Sequence, residues 1–272
     1  MIERIEELER EHAKVDLSID SFIQPSRERG LLPLLLSSLK ETAQDFLPDS
    51  FQVALLDDSF ELRETPRKPL SASVVPEVFE SLQSPRPGYV ELTRGQPPVV
   101  TVTLWNLHRM PPLRHDGLTM VVSRELAASP DGRQRFAHVS GLILQICEGF
   151  FGDLGTQLLT KKGPPDSRGL RPAIRGNIET GLPPPRWGFL FGPDYTKLIG
   201  LEKLRHAPCE VVHELGDQTV LVLLAEDFVV LERDETLLEE RRQALVDYLG
   251  PEYFRYVDEN SPKKVLSQFA GA

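Results

Sequence analysis

The residues of this sequence most able to act as general bases or metal ligands are its six histidines. His108 and His115 flank a Pro-Pro turn between arginines. Because neighbouring arginines repel a metal cation, we interpret this stretch as an exposed basic hairpin tip. His138 and Ser140 are two residues apart on a predicted helix, and that spacing places them on different faces. The sequence therefore predicts neither a metal site nor a Ser-His dyad.

Glycine-rich loops that could hold a phosphate are the next kind of site to consider. Gly149, Gly152 and Gly155 follow a predicted helix, whereas a phosphate-binding loop opens one. The sequence also lacks a nucleophile elbow of the G-x-S-x-G type. We therefore predict no cofactor and no catalytic residue from these patterns.

Carboxylates are the remaining candidates. The pairs Asp57-Asp58 and Glu226-Asp227 end predicted strands, where acid–base chemistry is conceivable but a solvated turn is more typical. The second pair opens an acidic segment whose single internal cation is Arg233. The further carboxylates of this segment are Glu232, Asp234, Glu235, Glu239 and Glu240. Two interpretations stay open for this segment. It is either a solvated loop and first helical turn, where carboxylates favour the helix dipole, or a negative patch on which a cationic partner docks.

The overall charge restricts the class of partner. A formal net charge of −10 argues against nucleic-acid binding, which depends on clustered Lys and Arg, and suits attraction of a basic protein. No apolar run approaches the roughly 18 residues of a membrane helix, and the charged N-terminus predicts no signal peptide, so we expect a cytoplasmic protein with no membrane partner. Cys147 and Cys209 are interpreted as reduced core thiols, with a disulfide as the alternative.

The acidic segment lies in a stretch, Trp187 to Leu249, whose pattern predicts a scaffold. The predicted elements are a strand at 187–191, a helix begun by Pro193-Asp194, strands near 209–214 and 218–225, and a helix capped by Asp234 or Thr236. Gly216-Asp217 is typical of the turn of a hairpin. These elements would position the acidic segment directly after a strand.

The preceding sequence predicts helices at 31–47 and 133–150, with the three glycines from Gly149 onward ending the second one. Strands are predicted at 51–56, 89–92, 99–105 and 117–122, and the last three in succession favour an antiparallel meander. Residues 161–185 are interpreted as a long surface loop. The fold class predicted is α+β, a mainly antiparallel sheet with the long helices packed on one face.

We predict one domain over residues 1–272, with a variable N-terminal segment at 1–30 and a loosely ordered tail at 258–272. A split into two lobes, near residue 95 or within 161–185, is the alternative.

The stretch from Trp187 resembles a known family. A Trp-Gly-Phe-Leu strand, then Phe-Gly-Pro-x-Tyr, then Leu-Ile-Gly-Leu-x-x-Leu, a Val-rich hairpin with Gly216-Asp217 and a closing helix are similar to the C-terminal half of the type VI immunity protein family. The resemblance covers 187–250, and more loosely 99–160. It departs at residues 226–231, which are more apolar and acidic than the glycine- and proline-rich continuation of the family.

The resemblance implies a non-catalytic cytosolic α+β protein that binds a cognate antibacterial toxin and occludes its active site. Some such toxins are basic nucleases, which the net charge of −10 would suit. With the carboxylates above, it leads us to expect toxin-binding residues at Tyr195, Glu226, Asp227, Glu232, Asp234, Glu235, Asp57 and Asp58. Two alternatives stay open: a structural adaptor of a secretion system, and a small-molecule enzyme with an unrecognised site.

Overall fold

The computed structural model of the protein describes residues 14–21, 25–57, 61–71, 74–82, 86, 88–105, 116–156, 158–159, 178–216, 218–257, 262–267 and 269. The chain divides into two compact units. The N-terminal unit contains the described residues between 16 and 149, and the C-terminal unit contains those from Phe150 onward together with Lys14 and Val15. The boundary between the units lies at Gly149, outside both of the places that the sequence suggested.

The elements of the N-terminal unit follow one another from β1 to α4. Its strands are β1 (Val15–Ser21), β2 (Ser50–Leu56), β3 (Leu62–Glu64), β4 (Lys68–Pro69), β5 (Gly88–Arg94), β6 (Val100–Trp105) and β7 (Asp116–Val122). Its helices are α1 (Pro25–Thr42), α2 (Val75–Leu82), α3 (Arg124–Ala127) and α4 (Pro130–Ile146), with a short 3-10 turn at Gln44–Phe46.

The sheet of this unit has the strand order β1-β7-β6-β5-β2-β3, and β4 also pairs with β2. Strands β5, β6 and β7 form the predicted antiparallel meander, which is therefore confirmed. Alternate residues of a strand point to the same side of a sheet, and here the residues on one side are apolar. Phe51, Leu92, Val102 and Met120 are directly opposite one another across four strands, and all four are buried. Helix α2 contacts β2 and β5, and α1 contacts both α2 and α4.

Helix α1 begins earlier than the sequence predicts. The sequence predicts a helix from residue 31, yet the helix starts at Pro25 and contains Pro33 within it. Proline is well tolerated in a first turn because its missing N–H has no helical partner there. The buried residues Leu32, Leu35 and Leu39 then supply the stripe that packs into the core.

The elements of the C-terminal unit include four strands and four helices among its described residues. The strands are β8 (Gly149–Thr156), β9 (Gly188–Phe191), β10 (Val211–Glu214) and β11 (Val220–Leu223). The helices are α5 (Pro193–Ile199), α6 (Leu201–Arg205), α7 (Phe228–Arg233) and α8 (Glu235–Leu249), with 3-10 turns at Ile178–Thr180 and Pro251–Tyr253.

The strand order β8-β9-β11-β10 is antiparallel throughout. Its core is rich in aromatic side chains: Phe151 contacts both Phe189 and Phe191, with ring centroids 5.0 and 6.0 Å away. Trp187 is fully buried, and its indole N–H donates to the carbonyl of Ala225 at 2.8 Å. The strands, the hairpin and the closing helix predicted over 187–249 are therefore confirmed.

Two strands differ from the sequence-based expectation. The predicted helix at 133–150 ends at Ile146, and the glycines expected to terminate it belong to β8, all eight residues of which are buried. Glu148, with φ of 46°, provides the reversal between the helix and the strand. Strand β1 lies in the segment 1–30, whose mixed and polar composition does not predict a strand.

The C-terminal tail also differs from the expectation of a loosely ordered segment. Leu266 and Phe269 are 3% and 2% exposed, and the Phe269 ring lies 5.6 Å from that of Phe150, edge to face. The described residues do not include 1–13, 58–60, 106–115 and 160–177. Part of the variable N-terminal segment, Asp58, the hairpin tip at His108 and His115, and most of the predicted long loop therefore lie outside them.

The predicted α+β class with mainly antiparallel strands is confirmed by both units. Within the described ranges, no helix has the length and apolarity needed to cross a membrane.

Candidate functional site

Helices α7 and α8 carry the acidic segment, and two of its carboxylates fix where these helices begin. The Asp227 side chain accepts a hydrogen bond from the backbone N–H of Val229 at 2.9 Å. The Asp234 side chain accepts one from Leu237 at 2.9 Å. Each is an N-cap, which satisfies a backbone donor that the helix itself leaves unpaired. Asp227 and Asp234 therefore contribute to local structure, and their carboxylates are already engaged.

The outward side of α8 is an acidic face, defined here by Glu235, Glu239 and Glu240. All three glutamates are exposed, and with Thr236 and Gln243 they line a shallow, open depression. The opposite side of the helix is buried through Leu238, Leu245, Val246 and Leu249. Because the buried stripe holds the helix against the core, the glutamates project in a fixed direction.

Glu210, which the sequence did not predict as a site residue, connects the acidic segment to the residues just before β10. The carboxylate of Glu210, just before β10, accepts the backbone N–H of Glu226 at 2.7 Å and an Nη–H of Arg241 at 2.6 Å. The hydrogen bond from Arg241 and then that from Glu226 lower the pKa of Glu210 below its ordinary value. Arg241 also donates to the carbonyl of Leu224, which ties α8 to the end of β11.

Glu232 does not face a partner, contrary to the expectation from sequence. It is 3% exposed, and its carboxylate accepts a hydrogen bond from the hydroxyl of the buried Thr156 at 2.6 Å. The same hydroxyl accepts the backbone N–H of Leu159 at 3.2 Å. This carboxylate therefore ties α7 to the end of β8.

Three further charged residues are buried in the C-terminal unit and were missed by sequence reasoning. Arg186 is 3% exposed, and its Nε–H donates to Asp153 at 2.9 Å. Its guanidinium lies so close to Gly155 that a Cβ there would be 2.7 Å from it. Arg242 is 2% exposed and donates to the carbonyl of Pro185 at 2.6 Å. Burial lowers the pKa of the Arg242 guanidinium, and the Glu239 carboxylate opposes that effect.

A sequence signal for one of these residues existed. Arg242 is four residues after Leu238 and three before Leu245, so helical spacing places it on the buried stripe of α8. An arginine at such a position needs a buried acceptor. Arg186 and Asp153 offered no comparable signal. Arg186 follows a proline-rich stretch, and Asp153 lies among the glycines that were expected to end a helix.

Tyr195 does not reach the surface, although we expected it to contact the toxin. It is 0% exposed, and its ring lies 5.8 Å from the Phe151 ring and 6.3 Å from the Phe150 ring. Its position in the first turns of α5 places it in the aromatic core of the C-terminal unit. It is a core residue.

Asp57 belongs to the N-terminal unit, where it follows β2. Its carboxylate accepts the backbone N–H of Glu61 at 3.0 Å and the Nε–H of Arg63 at 2.8 Å, contacts that link the end of β2 to β3. Asp58 lies outside the described residues. Of the seven predicted residues that the structure describes, Glu226 and Glu235 are the two that are exposed and are not helix caps.

The reactive side chains of the described chain do not gather into a metal or nucleophile site. Over the ranges that the structure covers, no group of three or more His, Cys, Asp and Glu residues could hold a metal ion. Cys147 and Cys209 are free thiols, as predicted, and burial raises the pKa of each to about 12. A thiol with so high a pKa is a poor nucleophile at neutral pH.

The comparisons with known proteins identify no family. No protein-family model matches the sequence. No curated protein matches it either. Among solved structures, the fold is similar to that of the Pseudomonas aeruginosa T6SS protein PA0821, with 11% sequence identity, a TM-score of 0.49, and coverage of 86% of this chain and 73% of that chain. A likeness of this size says nothing about function.

Proposed function

We propose that the protein is an immunity protein that binds a basic antibacterial toxin and neutralises it by covering the active site of the toxin. The observation that carries the proposal is the acidic face of α8. Eight carboxylates and three arginines lie between Glu226 and Leu249, so this segment has a net charge of −5, half of the −10 of the whole chain. Three of these carboxylates, Glu235, Glu239 and Glu240, form the exposed acidic face, whereas Glu232 is buried.

Such a surface suits a cationic partner for two physical reasons. A concentrated negative potential raises the rate at which a positive surface is encountered, by as much as 10- to 1000-fold at low salt. A surface that is already fixed by its caps and buried stripe loses little conformational entropy on binding. Glu235, Glu239 and Glu240 therefore replace Tyr195 and Glu232 as the residues that we expect to meet the toxin.

The resemblance over residues 187–250 supports the same proposal, because the strand, hairpin and closing helix on which it depends are present in that order. We infer from the resemblance that the toxin is delivered by type VI secretion or a similar polymorphic toxin system. A nuclease is the favoured kind of toxin, since its nucleic-acid cleft is positive. The immunity protein would act in the cytoplasm, where such a nuclease finds its substrate, without itself binding nucleic acid or membrane.

Co-expression tests this function. The product of the neighbouring reading frame, which we expect to be a basic toxin domain, is expressed from an inducible promoter, with and without the protein, and survival of the cells is counted. We expect the protein to restore growth and to co-purify with the toxin domain. Full toxicity despite good expression of the folded protein would refute the proposal.

The charge requirement is tested with a matched pair of variants. The Glu239→Lys/Glu240→Lys variant reverses two charges of the acidic face, and Glu41→Lys/Glu80→Lys reverses two exposed helical glutamates of the N-terminal unit. Both variants have the same net charge. Protection should fall for the first and remain for the second, whereas equal loss in the two would mean that only overall charge matters.

A further inference from the structure

The sheet of the N-terminal unit has a second face that is chemically distinct from its apolar one. The side chains that alternate with the buried row include six that are polar or aromatic and partly exposed: Gln52, Tyr89, Glu91, Thr101, Trp105 and Thr119. On the same face, Ala54 and Thr103 are buried and Val121 is apolar. This face therefore combines sheet rigidity with groups that can bind a partner.

One cross-strand row on this face brings a carboxylate and two aromatic rings together. Glu64 is opposite Ala54, Ala54 is opposite Tyr89, and Tyr89 is opposite Trp105. Because Ala54 has only a methyl side chain, the Tyr89 hydroxyl reaches across it and donates to Glu64 at 2.9 Å. The Tyr89 and Trp105 rings are tilted by 49°, with centroids 4.7 Å apart. We call Glu64, Tyr89 and Trp105 the aromatic patch.

The Glu64 carboxylate is held in place by neutral groups. One of its oxygens accepts from Tyr89 and the other from the Gln52 side-chain amide at 3.0 Å. Neither donor cancels its negative charge, and within the described part of the chain no Lys or Arg pairs with it. The neighbouring Glu91 differs, since Arg67 donates to it at 2.6 Å. Glu64 thus keeps a fixed orientation, a net charge and a second lone pair on each oxygen.

We propose that the aromatic patch binds an arginine side chain of a basic partner protein. The guanidinium would donate to Glu64, and the aliphatic part of the arginine would cross Tyr89 and Trp105. A planar guanidinium can donate two parallel hydrogen bonds to a carboxylate, which a compact ammonium cannot do, and the methylene groups of arginine pack on apolar ring surfaces. Tyr and Trp are also the residues that most often dominate the energy of protein interfaces. That the partner is the toxin rests on the proposed function; that the patch prefers arginine does not.

Tryptophan fluorescence provides a test with a defined probe. The chain has two tryptophans, and Trp187 is 0% exposed, so a ligand that binds at the surface changes the emission of Trp105. The probe is a nine-residue peptide with three arginines separated by glycine and serine, and its control has citrulline at the same three positions. Citrulline has the shape of arginine without its charge. We expect the arginine peptide to bind at least about tenfold more tightly.

Two glutamine variants locate the site. Glu64→Gln should weaken binding of the arginine peptide about tenfold, which corresponds to ~1.4 kcal/mol. Glu61→Gln, at an exposed glutamate three residues away that pairs with Arg63, should change it less than twofold. Both substitutions are at exposed positions, and circular dichroism verifies that each variant is folded.

Equal binding of the arginine and citrulline peptides, or equal effects of the two variants, would overturn the proposal. The peptide titration contains no toxin, so its outcome is independent of the co-expression experiment. Arginine preference without protection would preserve the patch and refute the immunity function. Protection without arginine preference would support the immunity function and refute the proposal that the aromatic patch binds arginine.

Discussion

The Thr156→Val substitution is a direct test of how α7, the first helix of the acidic segment, is held against β8. Valine has nearly the shape of threonine, so the change removes a hydroxyl and creates no cavity. The hydroxyl donates to the buried Glu232 carboxylate at 2.6 Å and accepts from Leu159 at 3.2 Å. A hydrogen bond to a charged group contributes about 1.5–3 kcal/mol, and a buried donor left unsatisfied adds to the loss. We therefore expect the free energy of unfolding to fall by about 3 kcal/mol.

Urea denaturation measures this change in the C-terminal unit. In a Trp105→Phe background, the emission of the buried Trp187 reports unfolding of that unit alone. The matched control is Thr236→Val, at an exposed position on α8, where we expect a change below about 0.5 kcal/mol. If Thr156→Val changes the unfolding free energy by no more than this control, the contact with Glu232 does not hold α7 to β8.

The remaining predictions concern charged and titrating groups. Arg186→Met leaves the buried Asp153 carboxylate without its ion pair, so we expect a loss of about 3–5 kcal/mol in unfolding free energy; a thermal midpoint equal to that of the parent would contradict this. Because the pKa of Glu210 is lowered, its ionised carboxylate stabilises the fold at pH values above the ordinary glutamate pKa of 4.5. This stabilisation is lost as the pH falls below 4.5 and the carboxylate becomes protonated. The unfolding free energy of the Glu210→Gln variant should therefore fall less steeply in acid than that of the parent. Parallel curves of unfolding free energy against pH would show that the Glu210 carboxylate does not stabilise the fold. Partial burial and the hydrogen bond to Glu64 raise the pKa of Tyr89 to about 12, so its stabilising contribution is complete below pH 10 and is lost as the pH rises through 12. Absorbance at alkaline pH should show Tyr89 titrating earlier in Glu64→Gln, and an unchanged titration would count against the contact.

The elements that could be predicted from the sequence are those whose pattern is local. The α8 helix has Asp234 as its N-cap, a periodic apolar stripe and Gly250 at its end, and all three signals agree. The β5-β6-β7 meander was similarly clear, because β-branched residues alternate along short strands separated by turn residues.

The elements that could not be predicted depend on distant partners. Strand β8 contains Gly149, Gly152 and Gly155, residues that usually weaken a strand. Gly155 is needed because the Arg186 guanidinium lies against its backbone, a contact between residues 31 positions apart. No local pattern reveals such a contact. The sequence therefore indicated a helix end where the fold has a buried strand.

The acidic segment can be found from composition, because charge is visible in the sequence, but the direction in which each of its residues points cannot. Composition did not distinguish the glutamates that face outward, such as Glu240, from Glu232, which faces the core. Tyr195 was selected as an aromatic surface anchor, yet its place among the Phe150 and Phe151 rings depends on tertiary packing. The aromatic patch was missed because its members lie on three different strands.

The most direct test of the central claim is the affinity of the purified protein for the purified basic toxin domain, measured as a function of salt concentration. We expect tight binding that weakens as salt rises, because salt screens attraction between exposed charges. The Glu239→Lys/Glu240→Lys variant should bind at least about tenfold more weakly, mainly through a slower association rate, and Glu41→Lys/Glu80→Lys should bind like the parent. No measurable binding, or binding that is indifferent both to salt and to reversal of the acidic face, would contradict the account.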